Sequence, residues 1–353
     1  MLTIKEAMQM IKFLKRGLLP FILASTMLLV TACTEDKATE DSNSKVTTTE
    51  PNSSDSTTSG DSSDDTNKVS SDITPAMWEV KTKSGKTIYL LGSMHVLPDS
   101  AYPLPDQLIN AYEKSDAIVV ECDILAYQSD LAKQLKLAED MVYKDGTKFK
   151  DHIDPEIYSE VVALMKEWGI YSKAHESFKP AMLTSLIENY IYTKANLKSE
   201  LGIDMFFLDK ATEESKEIIE VESAEFQMDM LMNFSDEINS LMLSSYAYDI
   251  DELVVQINEL YEVWASGDTE KLLEANSADE DQLTDAEKAA FKEYNDTMLT
   301  NRNKGMADKV IELIENDDKD IFYIVGAAHY PGEGGIIELL EAQGVVCTPV
   351  QYK

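Results

Sequence analysis

The chain has 353 residues, and its 65 Asp and Glu against 31 Lys and Arg give a formal net charge of −34 at neutral pH. No basic cluster interrupts this acidic balance, which argues against nucleic acid as a partner. The length allows one large domain or two small ones. The chain has only four histidines, so a sequence context that recurs around two of them is informative.

The first segment is typical of a bacterial lipoprotein signal. Basic residues at positions 12, 15 and 16 precede an apolar run over residues 18–30, which is short for a membrane span. Small residues then lead to Cys33, in a pattern that resembles a lipobox. We predict a signal peptide over residues 1–32, a lipid anchor on Cys33 and localisation on the extracytoplasmic face of the cell membrane. An ordinary secretory signal that contains a Cys is the alternative.

Residues 33–74 consist mostly of Thr, Ser, Asp, Glu and Asn. A segment of this composition cannot bury enough apolar surface to offset the entropy of ordering, so we predict a disordered tether. The tether joins the lipid anchor, by which the protein contacts the membrane, to a folded domain over residues 75–353. An acidic surface is repelled by anionic lipid, so the predicted attachment does not depend on a basic patch.

The folded part begins with α/β character. Residues 78–91 read as a hairpin that turns at Ser84-Gly85. Pro103 and Pro105 open an amphipathic helix, and residues 117–120 form a buried strand that ends before Glu121. Strand, helix and strand with short connections indicate an α/β fold.

Residues 125–316 are helical in pattern almost throughout. One helix begins at the N-cap Asp154 and ends at Gly169, and another opens at Asp204. A short strand at 217–221 interrupts the helices and ends before Glu222.

The C-terminal segment restores the α/β pattern. We predict a strand at 321–325, a loop at 326–335, a helix at 336–342 and a last strand at 345–350. The predicted fold class is therefore α/β (α+β), with a mixed sheet formed by the N- and C-terminal segments and a large helical insertion between them.

Two distant segments share one form: an apolar run, a Gly, two residues and a His. They contain Gly92 with His95, and Gly326 with His329. If both strands lie in one sheet, the imidazoles converge at its carboxyl edge, where open α/β folds place their sites. The glycines would let the backbone turn sharply off each strand and allow close approach.

Glu121 ends the strand that lies between these two motifs in the chain. Two imidazoles and a carboxylate are a common ligand set for a catalytic divalent metal ion, with a water in the open position. We therefore predict that His95, His329 and Glu121 bind a divalent metal of unknown identity, and that Glu121 is a ligand or the general base. The alternative is that each His only caps its strand.

Three further residues are candidates for the site. Glu222 and Asp204 could each be a third ligand or general base, or a helix-dipole partner or solvated residue. Arg302 is the only arginine after residue 75. It could clamp a substrate carboxylate or pair with Glu121 or Glu222.

Other reactive residues give weaker signals. Cys122 and Cys347 could pair outside the cytoplasm or remain free buried thiols. His175-Glu176 starts like a zinc-protease helix, but Lys179 stands where the second His is required.

The same residues resemble the TraB/GumN group, which includes the pheromone-shutdown proteins and the animal Tiki proteases. The resemblance covers almost all of the folded part, and it lies in the paired Gly-x-x-His motifs, the intervening Glu121, Gly202-Ile203-Asp204, Glu222 and Arg302-Asn303. It implies a mixed sheet, a helical insertion and, for the Tiki branch, a divalent-metal-dependent protease. The resemblance implies a site formed by His95, Glu121 and His329, with Glu222 and Arg302 as further members. Asn301 departs from the acidic residue that commonly precedes the Arg, and Ser93 replaces a frequent Thr.

The sequence thus predicts a membrane-tethered, divalent-metal-dependent hydrolase, a peptidase that acts on a peptide or protein substrate. Two alternatives stay open. One is a metal-free hydrolase in which a His and Glu121 activate water. The other is a lipoprotein that binds a secreted peptide without cleaving it.

Overall fold

The computed structural model describes residues 72–278, 281, 283–316 and 318–352. The predicted signal peptide, Cys33 and nearly all of the tether lie outside these residues. Within the described ranges, no helix has both the length and the apolar character needed to cross a bilayer.

One mixed sheet of six strands organises the described residues, in the order β4-β3-β5-β2-β1-β6. The strands are β1 Met77–Lys81, β2 Thr87–Ser93, β3 Ala117–Val120, β4 Glu217–Glu220, β5 Ile321–Gly326 and β6 Thr348–Pro349. Strands β4, β3, β5 and β2 are parallel to one another, whereas β1 is antiparallel to both β2 and β6. The strands of both chain ends are therefore neighbours, which confirms the predicted mixed sheet.

Helices form most of the remaining structure. They are α1 Asp106–Lys114, α2 Ile124–Ser129, α3 Leu131–Asp140, α4 Pro155–Glu167, α5 Pro180–Ala195, α6 Ile203–Glu214, α7 Ala224–Met232, α8 Asp236–Ser244, α9 Ile250–Ser266, α10 Thr269–Ala275, α11 Asp285–Asn295, α12 Asn301–Asn316 and α13 Ile336–Glu341. A π-helical turn, Asp296–Thr300, joins α11 to α12. The predicted α/β class with a helical insertion is confirmed.

Two element ends show how local sequence sets the structure. Asp154 caps α4 by accepting hydrogen bonds from the backbone N–H groups of Glu156 and Ile157, as its position before a Pro predicts. The last strand is shorter than predicted, because only Thr348–Pro349 pairs with β1. Pro349 has no N–H to donate, which suits an edge strand and limits its pairing.

The sheet is buried on both faces because its central strands alternate between two hydrophobic clusters. In β5, Phe322 and Ile324 pack into the cluster formed with the helical insertion. Ile321, Tyr323 and Val325 pack into the second cluster, which α12 and α13 cover. This double burial explains why the parallel strands read as continuous apolar runs rather than alternating ones.

The topology brings the predicted site residues to one edge. Because β4, β3, β5 and β2 are adjacent and parallel, their carboxyl ends share the same side of the sheet. Glu222, Glu121, His329 and His95 follow these four ends in that spatial order.

The two motif glycines are required because neighbouring atoms leave no room for a side chain, not because the backbone adopts a left-handed conformation. Neither Gly92 nor Gly326 has a positive φ angle. A Cβ on Gly92 would lie 3.0 Å from the Cβ of Ala327, so the first motif needs Gly to pack against the second. A Cβ on Gly326 would lie 3.2 Å from Oε1 of Glu121. Close approach, and not a strained turn, is therefore the physical reason for these glycines.

We expect Gly202→Ala to lower the free energy of unfolding by about 1–3 kcal/mol, the usual cost of an overpacked site. A Cβ at Gly202 would overlap the backbone carbonyl of His95, which cannot rotate away. Urea unfolding measures the change. Gly305→Ala is the matched control, because a Cβ there meets nothing within 4 Å in helix α12; it should raise stability by up to about 1 kcal/mol. Equal stability of the two variants would contradict the packing argument.

Candidate active site

A small cavity of about 40 Å³ lies at the carboxyl edge of the sheet. His95, Glu121, Arg302 and His329 all line it. All four side chains are more than nine-tenths buried. The structure therefore brings together residues from four places in the chain. They come from the two Gly-x-x-His motifs, the end of β3 and the start of α12.

The orientation of His95 is fixed by a carboxylate behind it. Nδ1 of His95 lies 2.7 Å from Oδ2 of Asp204, and the Ser93 hydroxyl donates to Oδ1 of the same carboxylate at 2.7 Å. The backbone N–H of Ile203 donates to the carbonyl of Met94, which joins the start of α6 to the first motif. Asp204 thus positions His95, and Nδ1–H is the donor because a carboxylate only accepts. Nε2 is left as the free nitrogen.

His329 is held in a matching way by an amide. Its Nδ1 lies 2.6 Å from Oδ1 of Asn303. The Nδ2 group of Asn303 donates to the carbonyl of Gly334 at 2.9 Å, which fixes the amide with its oxygen toward the imidazole. Nδ1–H of His329 is therefore the donor, and its Nε2 faces Oε1 of Glu121 at 3.8 Å.

Arg302 is surrounded by acceptors. Its Nη2 donates to Oε2 of Glu121 at 2.6 Å and to Oε2 of Glu222 at 2.8 Å. Its Nε donates to both oxygens of Glu222 at 3.0 Å, and its Nη1 donates to the carbonyl of Met298 at 3.1 Å. Of the two roles left open for Arg302, pairing with carboxylates is the one that the structure shows.

Glu121 also accepts hydrogen bonds from two neutral groups. The backbone N–H of Gly326 donates to its Oε1 at 2.7 Å, and Nε2 of Gln227 donates to its Oε2 at 3.1 Å. Gln227 lies near the middle of α7, which follows Glu222 in the chain. Both oxygens of Glu121 are therefore engaged, but Oε1 accepts only one of these bonds and keeps a lone pair.

The charges and the burial in the cavity shift the pKa values of its residues in different directions. Burial acts to raise the pKa of Glu121, but the Arg302 guanidinium, the two neighbouring imidazoles and the backbone N–H of Gly326 together outweigh burial and hold the pKa of this carboxyl well below its usual range. Burial, together with Arg302, lowers the pKa of His329 to about 3. Burial also acts to lower the pKa of His95, but the Asp204 carboxylate outweighs it, so this pKa is raised above its ordinary value. At neutral pH, Glu121 is an anion and His329 a neutral imidazole.

The donor chemistry fits a divalent metal in part. Two imidazoles whose Nδ1 atoms are held by a carboxylate and an amide are typical of histidines that bind metal through Nε2. The 3.8 Å between Nε2 of His329 and Oε1 of Glu121 is near the spacing of about 3.4 Å that two ligands of one tetrahedral ion adopt. Among the residues that the structure describes, however, no group of three or more His, Cys, Asp or Glu is arranged to hold a metal ion.

Several residues of the cavity were not predicted from the sequence. Asn276, Tyr294 and Asn295 line it from the ends of α10 and α11. Their helical pattern indicates only an apolar stripe, which is the usual signature of a core. No local sequence pattern identifies them, and the π-helical turn after Asn295, a feature that is frequent at functional sites, is seen only in the structure.

The two cysteines of the described ranges lie outside the cavity. Cys122 and Cys347 are free and buried. They belong to different hydrophobic clusters, on opposite faces of the sheet, so they cannot pair in this fold. Burial raises the pKa of the Cys347 thiol to about 11, and it also raises the pKa of Cys122. Neither thiol has the character of a nucleophile.

Comparison with known proteins agrees with the arrangement of motifs. The sequence pattern of the TraB/PrgY/gumN family matches residues 76–349. Uncharacterized protein YbaP of Escherichia coli is 24% identical over 159 residues, which are 45% of this chain and 57% of YbaP. Metalloprotease TIKI1 of Danio rerio is 22% identical over 323 residues, covering 79% of this chain and 64% of that protein. Metalloprotease TIKI2 of Xenopus tropicalis is 23% identical over 324 residues, covering 78% of this chain and 60% of that protein. The chain thus spans less than two thirds of each relative. No solved structure matches it.

The lowered pKa of His329 predicts a specific dependence of stability on pH. The unfolded chain binds a proton near pH 6.5, whereas the folded chain keeps His329 neutral down to about pH 3. Stability should therefore fall as the pH decreases between these values, by about 2 kcal/mol from this residue at about pH 5. Urea unfolding at about pH 7.5 and about pH 5 measures the loss, which should be smaller in His329→Gln by that amount. The same pH dependence in His329→Gln and in the unsubstituted chain would contradict the assignment.

Proposed function

The chain belongs to the TraB/PrgY/gumN family, and on this premise we propose that it is a divalent-metal-dependent hydrolase, a peptidase that acts on secreted or surface peptides. The single observation that carries the proposal is the pair of buried imidazoles, each held at Nδ1, whose Nε2 atoms are free at the cavity that also contains Glu121. Two of its relatives are named metalloproteases, which supports the same chemistry.

In this proposal, His95 and His329 would hold the ion through Nε2, and Oε1 of Glu121, which lies 3.8 Å from Nε2 of His329, would complete the site. A bound divalent ion supplies Lewis acidity and lowers the pKa of a coordinated water. Asp204 and Asn303 keep both imidazoles in the tautomer that this binding requires.

The role of Glu121 follows from its partners. A carboxylate whose pKa is held low by a guanidinium is a weak general base. Its contribution is therefore a fixed negative charge next to the reacting group rather than proton abstraction at neutral pH. Arg302 positions this charge because its Nη2 donates to Glu121, and Glu222 fixes the guanidinium by accepting hydrogen bonds from its Nε and Nη2.

The size of the cavity limits what it can hold. A volume of about 40 Å³ accommodates a few water molecules or one small reacting group. A scissile carbonyl fits this space, whereas the rest of a peptide must bind outside it.

We expect chelator treatment of the purified chain to abolish peptide cleavage and added Mn²⁺, Co²⁺ or Zn²⁺ to restore it. His95→Gln and His329→Gln should each reduce cleavage by about 100-fold or more, because each removes a group that acts at the reaction centre. Mass spectrometry of a mixed peptide library measures the products. His175→Gln is the control, since His175 lies in the turn Lys173–Ser177.

The other outcomes separate the alternatives. Cleavage that resists the chelator but needs both histidines would indicate a metal-free hydrolase. Stoichiometric peptide binding without turnover would indicate a binding lipoprotein. Cleavage that survives both substitutions and the chelator would rule out this cavity as the active site.

The lipid anchor is part of the same proposal, and it is supported by the apolar run at residues 18–30 followed by small residues and Cys33. We expect Cys33→Ser to move the protein from the membrane fraction to the soluble extracellular fraction, because one thiol carries the anchor. Immunoblotting of the fractions measures the change. Cys122→Ser is the matched control, and membrane association that persists in Cys33→Ser would contradict lipidation at this position.

A further inference from the structure

A second cavity lies in the helical insertion, among α4, α8 and α11. Its volume of about 750 Å³ is within the range of about 300–1,000 Å³ that is typical of ligand pockets. We name it the insertion groove. The proposed catalytic chemistry uses none of the residues that line it.

The floor of the insertion groove is apolar. Ile153, Leu241, Ala247 and Ala290 line it, and each is buried to more than nine-tenths. These side chains offer an occupant contact surface that contains no charge. The groove therefore differs from a simple patch of acidic residues on a protein surface.

Among the residues that the structure describes, seven carboxylates and no Lys or Arg line the rim. Four of them have partners within the fold. Asp154 caps α4, and Asp151 accepts from the backbone N–H of Lys148. Asp236 contacts His152, and Glu287 accepts from Thr284 at the start of α11.

The other three carboxylates have no such partner. Glu156, Glu160 and Glu237 line the groove, and no side-chain hydrogen bond or ion pair to another described residue engages them. A row of unpaired negative charge above an apolar floor attracts a cation that also has apolar parts.

The charge is distributed along the groove rather than focused. Within residues 72–278, 281, 283–316 and 318–352, no group of acidic or His side chains forms a site for a metal ion. An extended ligand with several positive charges matches the distribution better than a single ion does. We propose that the insertion groove binds a peptide segment that combines Lys or Arg with apolar side chains.

The groove and the candidate active site share one helix. Glu287, near the start of α11, lines the groove, and Asn295, at its end, lines the active-site cavity. Eight residues of helix span about 12 Å, which is about the length of four residues of extended chain. A peptide anchored in the groove thus has its neighbouring residues within reach of the cavity. This step rests on the proposed function, whereas binding to the groove does not.

Fluorescence anisotropy of a labelled decapeptide of alternating lysine and leucine, titrated with the purified full chain, tests the proposal. The triple variant Glu156→Gln, Glu160→Gln and Glu237→Gln should bind it about tenfold more weakly, since it removes the three unpaired charges. Ala286→Trp, which fills the groove from the exposed first turn of α11 and leaves every charge in place, should weaken binding as well.

The control must match the loss of charge, because the whole chain is acidic. Glu113→Gln, Glu213→Gln and Glu341→Gln remove the same number of charges at exposed positions of α1, α6 and α13, and together they should leave binding unchanged. Equal weakening in this control would show that overall acidity attracts the peptide and would overturn the proposal. Unchanged binding in both groove variants, or equal binding of a decapeptide with glutamine in place of lysine, would also overturn it.

Whether or not the chain hydrolyses peptides does not affect this binding result. If the purified chain binds the decapeptide in the groove but cleaves no peptide, the proposed function alone is contradicted. If it cleaves peptides but does not bind the decapeptide in the groove, this inference alone is contradicted.

Discussion

The Arg302 guanidinium connects parts of the chain that are far apart in sequence. It donates to Glu121 after β3, to Glu222 after β4, and to the carbonyl of Met298 in the π-helical turn that precedes α12. Removing one partner of a buried ion pair leaves an uncompensated charge, which costs about 3–5 kcal/mol. Glu121 in turn accepts a hydrogen bond from the backbone N–H of Gly326, the first residue of the second motif. The positions of β3, β4, β5 and α12 at this edge therefore depend on one cation.

The same arrangement determines the chemistry of the cavity. With Arg302 neutralising two carboxylates, Glu121 stays ionised although it is buried. The positive charge of Arg302 also helps to keep His329 neutral, while Asp204 favours the cationic form of His95. The two Gly-x-x-His motifs consequently present imidazoles with opposite tendencies, because the Asp204 carboxylate contacts His95, whereas burial and the Arg302 guanidinium act on His329.

Much of the fold could be predicted because its signals are local. Ser84-Gly85 marks the hairpin, Asp154 and Pro155 mark the start of α4, and the apolar run 321–325 marks a central strand. Burial on both faces of the sheet explains why those runs are continuous. The predicted range of the edge strand β6 was too long, because the apolar pattern at 345–350 does not reveal that only two residues pair with β1.

The site was only partly predictable, and the reason is sequence separation. His95, Glu121 and His329 could be located because each follows a strand. The partner of His95 is 109 positions away, and that of His329 is 26 positions away in another element. The roles of Asp204 and Asn303 depend on how α6 and α12 dock against the sheet, which no local pattern encodes. The insertion groove was not predicted at all, because its rim arises from three helix surfaces that read separately as solvated faces.

The central claim is that His95 and His329 together hold a divalent metal ion. Elemental analysis of the purified chain, compared with His95→Gln, His329→Gln and His175→Gln, tests it most directly. We expect about one equivalent of a divalent metal per chain, retained in His175→Gln and lost in both other variants. Peptide cleavage by a preparation that contains no metal, or a metal content unchanged by His95→Gln and His329→Gln, would contradict it.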